Sequence, residues 1–388
     1  MRRLLAVVFA STLAALAVSA CGCGGGSTSN QPETLAELPP ADPAAVREFL
    51  AGNRFMGRPG RGNQRRARRR FQKAIQIDPN LWEAHYNLGV LQRRAGDLEA
   101  AAGSFDAALQ IQPRAPEPLL AAAEVDYARG EQGAAAERLE TLLEVDPENL
   151  DARVALAVML REDERYDAAL EQAREVLVRD PQNIRALLEI GRAYRAREQY
   201  EVARLVLDKA VQLAPEDAPG LMAEVRNEQG LLELDRGDTQ AAFQAFEQAI
   251  ALDAAYEPAR MNMGSVLLHA GDFAGAVAQY EAVLEQHPDD LAARVAYGAA
   301  LRGQGEHRQA RRQYERVLEA DPENADALFN LAVLQAEFVD ERTESRATFQ
   351  RYLDAAPRRH PKREQAEEYL QLIPDPNAPP PPRQGGPP

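Results

Sequence analysis

The side chains able to do chemistry in this 388-residue chain are scattered rather than gathered. Five histidines stand at His85, His269, His287, His307 and His360, none paired at metal-ligand spacing and none in an HExxH run. No phosphate loop, GxGxxG or nucleophile elbow occurs. Carboxylates are abundant, but they recur as Glu137, Glu140 and Glu144 do, at helical spacing, and read as solvated helix surface. The expectation is a chain with no catalytic residue, no metal and no cofactor.

Charge is unevenly placed. Between residues 54 and 73 stand Arg54, Arg58, Arg61, Arg65, Arg66, Arg68, Arg69, Arg70 and Lys73, with no acidic residue among them. Residues 78–388 carry 33 basic and 56 acidic side chains, and the whole chain is at -15. The basic run reads either as an exposed face or as a contact for anionic headgroups, cell-wall polymer or an acidic partner. The acidic balance argues against nucleic acid. Cys21 and Cys23 lie too near the start to staple a fold.

The elements that must carry these residues follow a period. Prolines fall at Pro79, Pro113, Pro147, Pro181 and Pro215, each 34 residues after the last. A 39-residue step leads to Ala254, with an insert around 218–222; steps of 34 reach Pro288 and Pro322, and one of 35 reaches Pro357. Counting Trp82 as position 1, a small residue stands at position 8: Gly89, Ala123, Ala157, Gly191, Gly230, Gly264, Gly298 and Ala332. Alanine stands at position 20 in seven of eight units, and a large plug near position 24: Phe105, Leu139, Leu207, Phe246, Tyr280, Tyr314 and Phe349. Gly96-Asp97, Gly237-Asp238 and Gly271-Asp272 read as turns between two helices. Aromatics make up only 6% of the chain, and an apolar share rich in Ala and Leu suits closely packed helices.

The 34-residue period with two helices per unit resembles the tetratricopeptide repeat. The resemblance implies an all-α, right-handed superhelical solenoid of antiparallel helix pairs. It implies eight units over 82–359, a degenerate basic cap over 44–81, and a polar capping helix over 360–373. In this family the first helix of each unit lines a groove through positions 2, 5, 6, 9, 12 and 13. Carried onto this sequence, the groove residues are Tyr86, Asn87, Arg93, Arg94, Arg161, Arg192, Arg195, Asn227, Asn262, Arg302, Phe329 and Asn330. Asparagine can bond peptide backbone through donor and acceptor, and arginine can grip a carboxylate bidentately. The Lys/Asn/Arg set is looser than the family's peptide-carboxylate clamp requires.

The first 22 residues read as an address. Arg2 and Arg3 precede an apolar run over 4–18, too short to span a bilayer comfortably. Val18-Ser19-Ala20-Cys21 resembles the bacterial lipobox, which implies a leader over 1–20 and lipidation of Cys21; the plainer alternative is an ordinary cleaved leader. Residues 21–43 read as a Gly-, Ser- and Pro-rich tether, and 374–388 as a Pro-rich tail. Gly22, where an aspartate would resemble an inner-membrane signal, favours the outer membrane. The layout is similar to that of Gram-negative tetratricopeptide lipoproteins, including those of the myxobacterial gliding-motility apparatus. That resemblance implies a scaffold facing the periplasm that binds protein segments of a motility, pilus or secretion complex. The alternative is an accessory factor for cell-wall polymer or its synthases. Oligomeric state is not legible.

Overall fold

The computed structural model describes residues 39–213, 218–339 and 341–373. The leader, Cys21, the tether as far as residue 38 and the Pro-rich tail lie outside the described residues. Among those described the chain is all helix. It opens with α1 (Pro43–Met56), α2 (Arg61–Ile77), α3 (Trp82–Arg94), α4 (Leu98–Ile111), α5 (Pro116–Ala128) and α6 (Gln132–Val145). It continues through α7 (Leu150–Glu162), α8 (Tyr166–Arg179), α9 (Ile184–Ala196), α10 (Tyr200–Leu213), α11 (Pro219–Asp235) and α12 (Thr239–Leu252). It closes with α13 (Glu257–Ala270), α14 (Phe273–Gln286), α15 (Leu291–Gly303), α16 (His307–Ala320), α17 (Ala325–Glu337), α18 (Arg342–Ala355) and α19 (Arg363–Leu372). Odd and even helices pair up from α1–α2 to α17–α18, and each pair stacks on the next.

Local chemistry sets where each helix starts and stops. Gly96, Gly237 and Gly271 take left-handed φ values of +82°, +84° and +81°, which bring no steric penalty without a Cβ. The aspartate after each caps the second helix: Asp97, Asp238 and Asp272 accept from the backbone N–H of Ala100, Ala241 and Gly275 at 3.2, 2.9 and 2.9 Å. First helices are capped in the same way by Asn149, Asn183, Asp290 and Asn324.

Within every pair except α7–α8 the small residue of the first helix receives the large one of the second. A Cβ on Gly89 would lie 2.6 Å from Phe105 Cε1, and one on Gly191 would lie 2.6 Å from Leu207 Cδ2. Gly230, Gly264 and Gly298 stand equally close to Phe246, Tyr280 and Tyr314. Ala123 and Leu139 are buried in one cluster, as are Ala332 and Phe349. The position-20 alanines are likewise buried, at the same helix-helix seam.

Three irregularities in the period have structural counterparts. The 44–81 stretch, where Gly57, Pro59, Gly60 and Gly62 break the pattern, forms the pair α1–α2 with Gly52 against Phe71, the Cβ-to-ring distance being 2.5 Å. Those two residues are 19 apart rather than 16 because the turn is longer and α2 runs 17 residues. The insert before the fifth full unit becomes helix: α11 begins at Pro219 and also runs 17 residues. In the last full unit Ser345, in place of the usual alanine, is fully buried and donates to the Ala332 carbonyl at 2.8 Å.

A tie between units recurs at one repeat position. Position-4 arginines bridge the closing residue of the preceding unit to a glutamine on their own second helix. Arg153 donates to the Pro147 carbonyl at 2.9 Å and to Gln172 at 3.0 Å; Arg260 donates to the Ala254 carbonyl at 2.8 Å and to Gln279 at 2.9 Å. Arg294 repeats the arrangement with Pro288 and Gln313.

The close contact has a direct test. Gly89→Ala should lower stability by about 1–3 kcal/mol by forcing Phe105 aside. Gly133→Ala, on open helix surface with nothing within 4 Å of its would-be Cβ, should raise it by about 0.4–1 kcal/mol. Chemical denaturation of both variants measures the difference, and equal effects would contradict the packing.

Candidate functional site

Successive first helices touch one another along most of the stack, at α3–α5, α7–α9, α9–α11, α11–α13, α13–α15 and α15–α17, while successive second helices do not approach comparably. The stack therefore curves with its first helices on the inner face. That face divides into two chemically different stretches.

From α3 to α11 it is a ladder of charge. Arg93 is paired with Glu124 on the next first helix. Tyr127 donates to Glu162. Arg161 lies 3.5 Å from Glu162 and donates to Glu189 on α9 at 2.8 Å. Arg192 reaches Glu189 at 2.6 Å, Glu224 at 2.8 Å and Glu228 at 3.2 Å; Arg195 reaches Glu228 at 2.6 Å and Asp235 at 2.9 Å. Glu189 and Glu228 are only 4% and 3% exposed.

Burial raises the Glu189 carboxyl, but the charges of Arg192 and Arg161 outweigh it and hold the group below its ordinary value. Burial works against the Arg192 and Arg195 cations too, yet the surrounding carboxylates leave both raised. Glu124 goes the other way. Despite its contact with Arg93, burial prevails and its carboxyl sits above the ordinary value. One arginine against one buried carboxylate is too little; two arginines suffice for Glu189.

The arginines expected to grip a partner in this stretch are thus engaged with carboxylates of their own chain. The buried members Glu189 and Glu228 correct the reading of carboxylates as solvated surface. They stand at groove position 6; the arginine partners are 28 and 3 residues away for Glu189, and 36 and 33 for Glu228. Arg94 stays exposed, with no carboxylate partner among the described residues. Asn87 donates to Asn53 at 2.8 Å and Asn262 donates to Asn227 at 2.9 Å, so these asparagines also link neighbouring first helices. Tyr86 packs its ring 5.8 Å from Phe105.

Beyond Asn262 the character changes. A cleft of about 890 Å³ opens between α13, α15, α17 and α19. Leu268, Val295, Ala296, Ala299, Phe329 and Val333 line it with apolar surface, and Arg302, Asn330, Glu337 and Lys362 supply polar groups. Phe329 is 6% exposed and fixed by edge contacts with Phe349 and Tyr352 at 5.9 and 5.4 Å. Asn330 donates to the Asp326 carbonyl at 2.9 Å. The Arg302 guanidinium lies 5.9 Å from the Phe338 ring, and its Nη1 is buried with no hydrogen-bond partner. Lys362 stands 5.1 Å from the Phe329 ring centre and 2.9 Å from Asp326. The terminal helix α19 is therefore a wall of the cleft as well as an end cover. A smaller depression of about 380 Å³ at residues 164–168 and Arg197 has no converging polar set, since Arg197 is paired with Asp167 at 2.5 Å.

The basic run divides as well. Arg70 and Lys73 each lie 2.6 Å from Glu48, and Arg66 stands 5.8 Å from the Phe55 ring. Arg54, Arg58, Arg61, Arg65, Arg68 and Arg69 are exposed. Among the described residues no group of three or more His, Cys, Asp and Glu side chains is placed to hold a metal.

The tetratricopeptide-repeat family profiles match residues 60–116, 120–184, 160–218, 188–260 and 298–360, and 233–301 and 267–313. The chain belongs to the tetratricopeptide-repeat family. Among solved structures it is similar to a tetratricopeptide-repeat protein of Parabacteroides merdae, at 17% identity and a TM-score of 0.59 over 66% of this chain and 99% of that one. A thermophilic tetratricopeptide-repeat protein of Thermus thermophilus matches 48% of this chain and 99% of its own at 27% identity, with a TM-score of 0.44. PilF of Pseudomonas aeruginosa matches 57% of this chain and 97% of its own at 21% identity, with a TM-score of 0.46. A search of curated proteins finds no significant match. The Parabacteroides protein shares the fold, and the tetratricopeptide-repeat family serves protein–protein interaction.

The ladder turns on Arg192. Arg192→Met should cost about 3–5 kcal/mol, because it strips buried carboxylates of their shared counter-charge. Adding Glu228→Gln to that variant should recover part of the loss. For Glu189, whose folded value lies below the ordinary 4.5, the stabilisation is whole above 4.5 and is lost as pH falls through the folded value. Urea denaturation across that window should show a steeper acid loss for the parent than for Arg192→Met. Parallel curves would refute the assignment.

Proposed function

We propose that this chain is a membrane-anchored, non-enzymatic scaffold that holds an extended segment of another protein in the cleft between α13 and α19, within an envelope assembly. The observation that carries the binding role is the change along the inner face. Its middle part has its charges compensated internally, whereas the C-terminal part offers an apolar cavity beside Arg302, whose buried Nη1 has no hydrogen-bond partner. A cavity of this size with an apolar floor and a few polar groups is the usual form of a binding site. A peptide laid there would bury side chains against Phe329 and Val295 and bond its backbone to Asn330.

Anchoring rests on the lipobox-like Val18-Ser19-Ala20-Cys21, with Cys21 as the acylated residue. Several acyl chains at about 0.8 kcal/mol per buried methylene would hold the protein firmly. Gly22 favours the outer membrane, with the solenoid facing the periplasm. The layout of lipobox, tether and repeat array corresponds to scaffolds of motility, pilus or secretion machines, and the gliding-motility lipoproteins are the narrower match.

Ala296→Arg, which fills the cleft without touching the ladder, should abolish capture of the partner from detergent-solubilised envelopes while leaving the thermal transition in place. A partner recovered equally by this variant would move the site elsewhere. Recovery of glycan or a wall synthase through the cleft would replace the assembly role with one in wall construction. Separately, Cys21→Ala should release the protein from the membrane fraction, and attachment that survives this change would sink the anchor.

A further inference from the structure

The outer face of α2 is remote from the groove and has an unbalanced charge. Ala67, Phe71 and Ala74 are its buried residues. Helical spacing at about 100° per residue places Arg61, Arg65, Arg68 and Arg69 in one arc opposite them, and all four are exposed. No carboxylate occurs on this helix. The three carboxylates of residues 39–81 are committed elsewhere. Asp42 caps α1. Asp78 accepts from the backbone of Asp42 and Asn80 at 3.0 Å each. Glu48 takes Arg70 and Lys73. Among the described residues the arc therefore has no counter-charge within the chain.

Like charges at i,i+3 and i,i+4 repel, and this arc contains Arg61 with Arg65, Arg65 with Arg68, and Arg65 with Arg69. Such a face destabilises its own helix unless something anionic covers it. Between residues 61 and 74 it presents no exposed apolar side chain, so it lacks the aromatic or aliphatic anchors on which protein interfaces concentrate their energy. Guanidinium groups suit phosphate oxygens bidentately. Only twenty residues lie between Cys21 and Asp42, so this is the helix pair nearest the lipid; that step rests on the anchor argued above.

We propose that the arginine face of α2 docks on anionic phospholipid headgroups. The contact would set the orientation of the solenoid as well as its attachment. The basic end is drawn to the surface, and residues 78–388, with 33 basic and 56 acidic groups, are repelled from it. The groove is then presented away from the bilayer instead of lying against it.

The test uses the chain from residue 22 onward, which keeps every described residue and carries neither leader nor acyl group, so it reports on α2 independently of Cys21. In flotation it should partition to vesicles containing phosphatidylglycerol but not to phosphatidylcholine vesicles, and high salt should abolish the difference. Changing Arg61, Arg65, Arg68 and Arg69 together to Gln should reduce that partition on the order of 1,000-fold. Changing the same four to Lys should retain most of it, with unaltered circular dichroism in both variants. Equal partition of the parent to the two vesicle types would overturn the proposal even if the Gln variant fails to fold. Arginine-dependent binding to polyglutamate without binding to phosphatidylglycerol would also overturn it and assign the face to an acidic protein.

Discussion

The structure depends on one repeated contact: a residue with little or no side chain on the first helix of a pair receives a large side chain from the second. Gly89 with Phe105, Gly230 with Phe246, Gly264 with Tyr280 and Gly298 with Tyr314 leave no room for even a methyl group. In a chain with so few aromatics, placing one at this seam buries the largest apolar area where two helices must come closest. The tyrosines used here bring a hydroxyl with them, and burial drives the Tyr280 hydroxyl up to about 12. The third full unit shows what the seam can do without. There Ala157 faces Ala173, and Leu170 and Val176 fill the space from neighbouring turns.

Pairs alone would make beads. Contacts between pairs make a curved stack: apolar clusters such as that of Leu139, Leu142, Leu156 and Leu160 run across the joints, and polar ties add to them. The arginine–glutamine ties at Arg153, Arg260 and Arg294 fasten the closing loop of one unit to the second helix of the next. On the inner face the ladder from Arg93 to Asp235 joins five successive first helices. Removing the arginines that hold Glu189 and Glu228 would leave buried charges without partners, so the ladder makes the relative placement of units specific even where its net contribution to stability is small. It also determines where ligands do not go. An arginine already held by three carboxylates, as Arg192 is, has its charge compensated within the chain and has little attraction left for a peptide terminus.

Much of the fold was legible because its signals are local and repeat. The 34-residue period, the Gly-Asp turns and the small–large pattern each reflect a constraint within one unit, and each is met in the structure. The irregular units were harder. The longer turn before α2 displaces Gly52 by three residues from its expected register with Phe71, which hides an ordinary seam behind an unusual spacing. The inner face was legible in part. Asn227, Asn262, Arg192 and Phe329 do line it, but whether a groove residue is free depends on a partner a full unit away. Glu189 and Glu228 look like any other surface glutamate until the neighbouring helix is in place. The role of α19 as a cleft wall was hidden for the same reason, since Lys362 and Tyr369 meet α17 and α18 only after the chain turns back.

These constraints divide the work along the chain. The middle of the inner face satisfies itself, which suits a spine that must keep its curvature whatever is bound at its end. The C-terminal units give up that self-sufficiency: Arg302 keeps a buried Nη1 without a partner, and the floor beside it is apolar. An unpartnered buried polar atom costs about 1–3 kcal/mol, and a ligand or ordered water that satisfies it recovers part of that. The N-terminal pair leaves a different demand unmet, the charge on α2. A chain of similar units thus acquires two unlike ends by varying what each unit shows on its exposed or inner face, while the small–large seam beneath recurs at both ends.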